Sequence, residues 1–312
     1  MSLTGRVIYQ LWHRPIGRIR ASLTNGGPWQ EYRTERGRLK MEIAAVNLPI
    51  LPGAPGPALE LHMLTGRRFW SQTAFCLWTL GRQTARTLAP LIYDDGSLTD
   101  EFRAPLARLF PAARFVSHRE TVGRLDEFLP SVRFPALRER WINYPNIRKL
   151  TDPHFGATGW KLVLDSDLLF FRRPDFLLDW LDAPDRPLHA VDCETSYGYS
   201  RSLMNGLAGA PVADLVNVGL TGLNSSDLDW ERLEYWCATL IARERTNYYL
   251  EQALIAMQVA GQDCRVAPSD DYVTLPSEAE ARECRAVMHH YVAGSKRWYF
   301  QNNWRHFLAP EK

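Results

Sequence analysis

The sequence predicts an α/β domain with a mostly parallel central sheet flanked by helices. Three observations lead there. From residue 59 onward, short apolar runs of strand length alternate with segments of helical periodicity. The chain has 312 residues and 46% of them are hydrophobic, which suffices for one large core. Finally, no apolar run approaches the roughly 18 residues of a membrane span, and Met1 to Gln10 lack a signal-peptide core. The five cysteines (Cys76, Cys193, Cys237, Cys264 and Cys284) are scattered and form no CxxC pair, so no zinc site is expected, and reduced thiols in a cytoplasmic protein are. A net charge of +2, from 37 basic and 35 acidic residues, singles out no nucleic-acid partner.

The elements follow in order. The first forty residues are basic, with Arg6, Arg14, Arg18, Arg20, Arg33, Arg36, Arg38 and Lys40 against Glu31 and Glu35. They read as an extension packed on the domain surface, or as a contact for an anionic membrane face or a phosphorylated acceptor. Leu48 to Pro57 is rich in Pro and Gly and reads as a linker, so residues 1–57 are set apart from a domain over 58–312. Strands are expected over 59–64, 88–93, 114–117, 160–164, 188–192 and 287–291, and one or two more over 212–223. Helices are expected over 69–84, 98–109, 229–245 and 248–260, with Asp100 and Glu101 in a first turn where the helix dipole favours them. Residues 120–144 read as helix broken near Pro130 and Pro135.

In such sheets ligands bind beyond the carboxyl ends of the strands. Lys161 to Leu164 is a buried strand that runs into Asp165-Ser166-Asp167 and then into apolar Leu168 to Phe171. Two acids one residue apart on extended chain point to the same side, so both can meet one hard cation. Mg²⁺ or Mn²⁺ is commonly shared with substrate phosphates in that way. A surface turn with two acids is the plainer reading.

At these residues the chain resembles glycosyltransferases with the GT-A fold, whose Asp-x-Asp motif Asp165-Ser166-Asp167 matches. Four further segments carry the resemblance. Thr65 and Gly66 resemble the opening strand and loop that meet the nucleotide. Asp94 and Asp95 resemble the acidic turn that holds the nucleoside. Asn217-Val218-Gly219 resembles the Asn-x-Gly segment that lines the donor sugar, and Glu251-Gln252 the pair near the reacting carbon in glycogenin-like retaining transferases. Last, His290 to Trp298 resembles the glycogenin-like tail His-Phe-x-Gly-x-x-Lys-Pro-Trp, with the six-residue offset from His290 to Lys296 kept. Two positions depart: the glycine, Gly294, comes one residue late, and Arg297 replaces proline.

The resemblance implies a transferase that moves a sugar from a nucleotide-diphosphate sugar, a UDP-sugar foremost, to a hydroxyl acceptor with Mn²⁺ or Mg²⁺. It implies Asp165, Asp167 and His290 as metal ligands, His289 being the rival, and Lys296 on the diphosphate. Glu251 is the base if the reaction inverts; Gln252 steadies the sugar if it retains. The acidic turn reads equally as a helix cap, and Asn217 as a turn cap. Asp192, Glu194 and Tyr197 border the acceptor or form an ordinary loop. A sugar-1-phosphate nucleotidyltransferase and a noncatalytic sugar-nucleotide-binding protein are the alternatives.

Overall fold

The computed structural model describes residues 26–53, 56–84 and 86–308. Arg6, Arg14, Arg18 and Arg20 of the basic segment, and Ala54 and Pro55 of the linker, lie outside them. The chain opens with α1 (Pro28–Val46), then β1 (Leu59–Thr65), α2 (Trp70–Gln83), β2 (Leu88–Asp94), α3 (Asp100–Leu109) and β3 (Arg114–Val116). Next come α4 (His118–Phe128), α5 (Pro135–Asn143), α6 (Arg148–Thr151), β4 (Trp160–Leu164) and β5 (Leu168–Phe170). Then follow α7 (Asp175–Asp182), β6 (Leu188–Val191), α8 (Arg201–Ala208), β7 (Val216–Asn224), α9 (Trp230–Glu244) and α10 (Leu250–Gln258). The chain closes with β8 (Arg265–Val266), β9 (Tyr272–Thr274), α11 (Glu278–Glu283), β10 (Met288–His290) and α12 (Lys296–Gln301).

Local chemistry sets these bounds. The Ser117 hydroxyl accepts from the Glu120 amide at 3.1 Å and the Asp229 carboxylate from the Arg232 amide at 3.0 Å, capping α4 and α9. Pro135 opens α5 in its first turn, where a missing N–H does no harm, so the expected helix over 120–144 becomes two. Every residue of α2 from Trp70 to Leu80 is buried, as befits a helix covered on all sides.

The large sheet has seven strands in the order β3-β2-β1-β4-β7-β6-β8. β1 runs parallel to β2 from Leu59 opposite Leu88 to Thr65 opposite Asp94, and parallel to β4 on its other side. The strand order therefore reverses at β1 and β4, which opens a crevice beyond their carboxyl ends. The expected strands over 212–223 are one strand, β7, antiparallel to both β4 and β6. A second sheet, β5-β10-β9, pairs β10 antiparallel to β5 with His290 opposite Leu168. The apolar run after the two acids is thus an edge strand of a separate small sheet, with β10 in its middle.

Of the segment set apart by sequence, α1 is built into the main core: Met41 and Ala45 are fully buried there with Leu61, Phe75 and Tyr299. It meets α12 at Gly37, where a Cβ would stand 2.2 Å from the Phe300 carbonyl oxygen, so only glycine permits the approach. The linker begins with buried Leu48, and the Trp78 indole donates to the Pro49 carbonyl at 2.8 Å.

Candidate active site

A cleft of about 490 Å³ opens at the crevice, within the range of small-molecule sites. Thr65, Asp95, Asp165, Asp167, Asn217, Gly219, Glu251, Gln252, His290 and Lys296 all line it. Gly66, Asp94 and Gly294 do not; Gly294 faces a neighbouring cavity under α1.

The Asp165–Asp167 loop is the bridge between the two sheets. The Asp165 amide donates to the Gly219 carbonyl at 2.8 Å on β7, and the Tyr291 amide donates to the Asp167 carbonyl at 3.0 Å. These bonds fix both carboxylates against the end of β10. Strand alternation then sorts the two histidines. His289 turns into the core, between the Tyr291 hydroxyl at 2.9 Å and Glu280 at 2.9 Å. His290 turns into the cleft, with Nε2 3.3 Å from Asp167 and 3.7 Å from Asp165.

Asn217 sets the tautomer of His290. Its Oδ1 accepts from the Gly219 amide at 2.9 Å and faces His290 Nδ1 at 3.1 Å. A carboxamide oxygen has no hydrogen to donate, so Nδ1 carries the proton and Nε2 presents a lone pair. That lone pair and two carboxylates then converge, with ligand atoms of Asp165, Asp167 and His290 within 4.8 Å of one another. Three acceptors in one place call for a proton or a cation, and this donor set suits a divalent ion. Gly219 completes the arrangement: a Cβ there would stand 2.2 Å from His290 Cε1. The Asn-x-Gly segment that the sequence assigns to the donor sugar thus holds the histidine from beneath.

Charge around the pair is balanced. Lys296 Nζ lies 3.1 Å from Asp167, whose charge raises the lysine's pKa. Burial works to raise Asp167, but its contact with His290 and the Lys296 ammonium outweigh it and hold the carboxyl well below its usual range. On the other side stands Lys149, which sequence reasoning missed. Its ammonium lies 2.8 Å from Asp165 and 3.4 Å from Glu251. Burial opposes its charge, yet the two acids win and its pKa rises. A single lysine in the four-residue α6 has no spacing signal; only the folded topology brings it to β4.

Glu251 opens α10 and is almost fully buried. Burial pushes its carboxyl up to about 7, Asp165 adds to the rise, and Lys149 opposes it. Its Oε1 is buried with no partner among the described residues. Gln252 spends its amide on Asp192 at 2.7 Å and on the Val216 carbonyl at 2.9 Å. Asp192 and Glu194 line the cleft, whereas Tyr197 is buried and props β7 through its hydroxyl. Tyr144, Tyr248 and Tyr249 form the remaining wall, Tyr248 being 71% exposed.

At the far end, Asp94 closes its own turn: its carboxylate accepts from the amides of Gly96 at 2.8 Å and Leu98 at 2.9 Å. Asp95 reaches the cleft because Gly66 has no side chain; a Cβ there would meet its carboxylate at 2.0 Å. Ala293, which stands where the tail motif has glycine, adopts φ 42°, a left-handed conformation.

No protein-family model matches the chain, and no curated protein matches it in sequence. Solved structures do match. The apo structure of mouse xyloside xylosyltransferase 1 is 13% identical, with 75% of this chain and 97% of that one covered at a TM-score of 0.50. The galactosyltransferase LgtC, solved with donor and acceptor sugar analogs, is 15% identical over 77% and 94% of the two chains, TM-score 0.51. The bifunctional glycosyltransferase WbbM, in its apo structure, is 11% identical over 81% of this chain and 52% of its own, TM-score 0.52. The chain has the GT-A fold. At this level of identity the likeness is one of architecture, and the chemistry rests on the site itself.

Proposed function

We propose that this protein is a metal-dependent glycosyltransferase that moves a sugar from a nucleotide-diphosphate sugar, with UDP as the favoured nucleotide, to a hydroxyl acceptor. One observation carries the reading: the His290 lone pair, fixed by Asn217, meets Asp165 and Asp167 at the mouth of the sheet's crevice. Bound there by these three residues, Mn²⁺ or Mg²⁺ supplies a Lewis acid for the departing diphosphate. Lys296 adds a compact cation beside Asp167 for the same phosphates. Lys149 pairs with Asp165 and holds Glu251 close to the reacting centre. Glu251, lifted to about 7, can exchange a proton near neutral pH, which suits a base toward an acceptor hydroxyl in an inverting reaction. In a retaining reaction Gln252 serves the sugar instead, held in place through Asp192. The base and ribose fall to the Thr65–Asp95 end, with Gly66 and Asp94 shaping that end from behind. The acceptor falls to the wall of Tyr248 and Tyr249, whose faces suit a sugar ring. A cytoplasmic location, which suits scattered reduced thiols, is part of the same proposal.

Asp167→Asn tests the reading. It keeps the shape and removes a ligand, so turnover of a UDP-sugar with Mn²⁺ should fall by about 10³-fold, the loss of several kcal/mol of charge stabilisation. The melting temperature should hold. Undiminished turnover in a folded variant overturns the metal site. Activity with a nucleoside triphosphate and a sugar-1-phosphate, but none with sugar nucleotides, would reassign the enzyme to nucleotidyl transfer.

A further inference from the structure

We propose that the outward face of α1 docks flat on an anionic lipid bilayer, as a surface contact. The helix has two opposite faces. Gly37, Met41 and Ala45 turn inward. Trp29, Tyr32, Leu39, Ile43 and Val46 turn outward and are exposed, Trp29 at 68% and Ile43 at 67%, and Ile50 continues the row beyond the helix end. Their spacings match helical turns, so they form one stripe rather than a scatter. Large apolar residues exposed singly need no explanation; five on one helix face, interrupted only by Glu35 and Arg36 between Tyr32 and Leu39, point to a contact surface.

The charges beside the stripe select the occupant. Arg33, Arg36 and Lys40 run along one flank, and Arg305 joins them across a shallow hollow shared with Trp29 and Tyr32. On the opposite flank Glu35 and Glu42 are tied up with Arg38, while Glu31 is exposed. Aliphatic side chains in the middle, a stacked Trp–Tyr pair with ring centroids 5.6 Å apart at one end, and cations alongside complement an anionic membrane surface. The aliphatic groups enter the acyl boundary, the indole and phenol sit among headgroups, and the cations meet lipid phosphates. No helix among the described residues is long and apolar enough to cross a membrane, so the contact is interfacial.

This inference is independent of the transferase reading, since it is measured without donor or acceptor. The full chain is sedimented with vesicles of equal parts phosphatidylglycerol and phosphatidylcholine, and with vesicles of phosphatidylcholine alone. Binding is expected to the anionic vesicles, to weaken as salt screens the charges, and to bring tryptophan within quenching range of brominated acyl chains. Two double variants follow: Leu39→Ser with Ile43→Ser, and Arg36→Glu with Lys40→Glu. All four side chains are exposed, and melting curves check that the fold is kept. Each cation removed should weaken partitioning about fivefold, so the charge variant should stay in the supernatant, and so should the serine variant, which loses the aliphatic groups that enter the acyl boundary. Equal binding to the two vesicle types, or undiminished binding by both variants, overturns the proposal. So does a lipid-free, concentration-dependent dimer that the serine variant dissolves, which would give the face to a second copy of the chain.

Discussion

Asn217→Ala isolates the device that aims His290. The substitution removes the carboxamide and leaves two buried donors, the Gly219 amide and His290 Nδ1–H, without their acceptor. A buried donor left unmade is unfavourable by about 1–3 kcal/mol. The imidazole can relieve its share by moving the proton to Nε2, where the two carboxylates wait. That tautomer has no lone pair on Nε2 for an ion between the carboxylates, so the loss falls on metal affinity and should reach about 10–100-fold, as for other outer partners of ligating histidines. Calorimetric titration with Mn²⁺ at fixed pH reads it directly, and melting curves without metal separate it from any loss of fold. Asn217→Asp keeps an acceptor for both donors and adds negative charge, so it should bind Mn²⁺ at least as tightly as the wild type. An unchanged dissociation constant in the alanine variant refutes the tautomer argument. Equal damage from alanine and aspartate refutes it too.

Two further outcomes are expected. Glu251 has its pKa raised from 4.5 to about 7 by burial, so the folded state holds this proton more tightly than the unfolded chain does. The stability that this gives is complete below about pH 4.5 and is lost as pH rises through about 7. Metal-free Glu251→Gln should therefore gain about 1–3 kcal/mol over wild type near pH 8 relative to pH 4, read as a melting-temperature difference; a gap that does not widen with pH refutes the shift. Ala293 sits in a left-handed conformation that disfavours a Cβ by about 1–2 kcal/mol. Ala293→Gly relieves this at some entropic expense, for a net gain of about 0.5–1 kcal/mol; a lower melting temperature would show that the loop wants the methyl group.

Much of the site was legible because strands impose direction. Asp165 and Asp167 follow an apolar strand, whereas His290 and Lys296 were found through the resemblance of their segment to a family tail whose six-residue offset they keep. Lys149 was not legible, because nothing local distinguishes it and its partners are distant in sequence. The role of Asn217 was hidden for a related reason: a carboxamide beside a glycine reads as a turn or a sugar contact until the histidine beside it is seen. α1 escaped for the opposite cause. Its inward face consists of Gly37, Met41, Ala45 and little else, while its larger apolar groups point outward. A pattern that expects big residues inside finds no core face there, and the segment reads as solvated.

The close approach at Gly37 joins two distant parts of the chain mechanically. α12 carries Lys296 in its first turn, and α1 lies so near to Phe300 on that helix that no methyl group fits between them. Two helices in such contact cannot slide or tilt separately. Displacing the amino-terminal helix therefore displaces the cation beside Asp167, and a truncated chain that began at β1 would leave α12 without the surface that holds it in place.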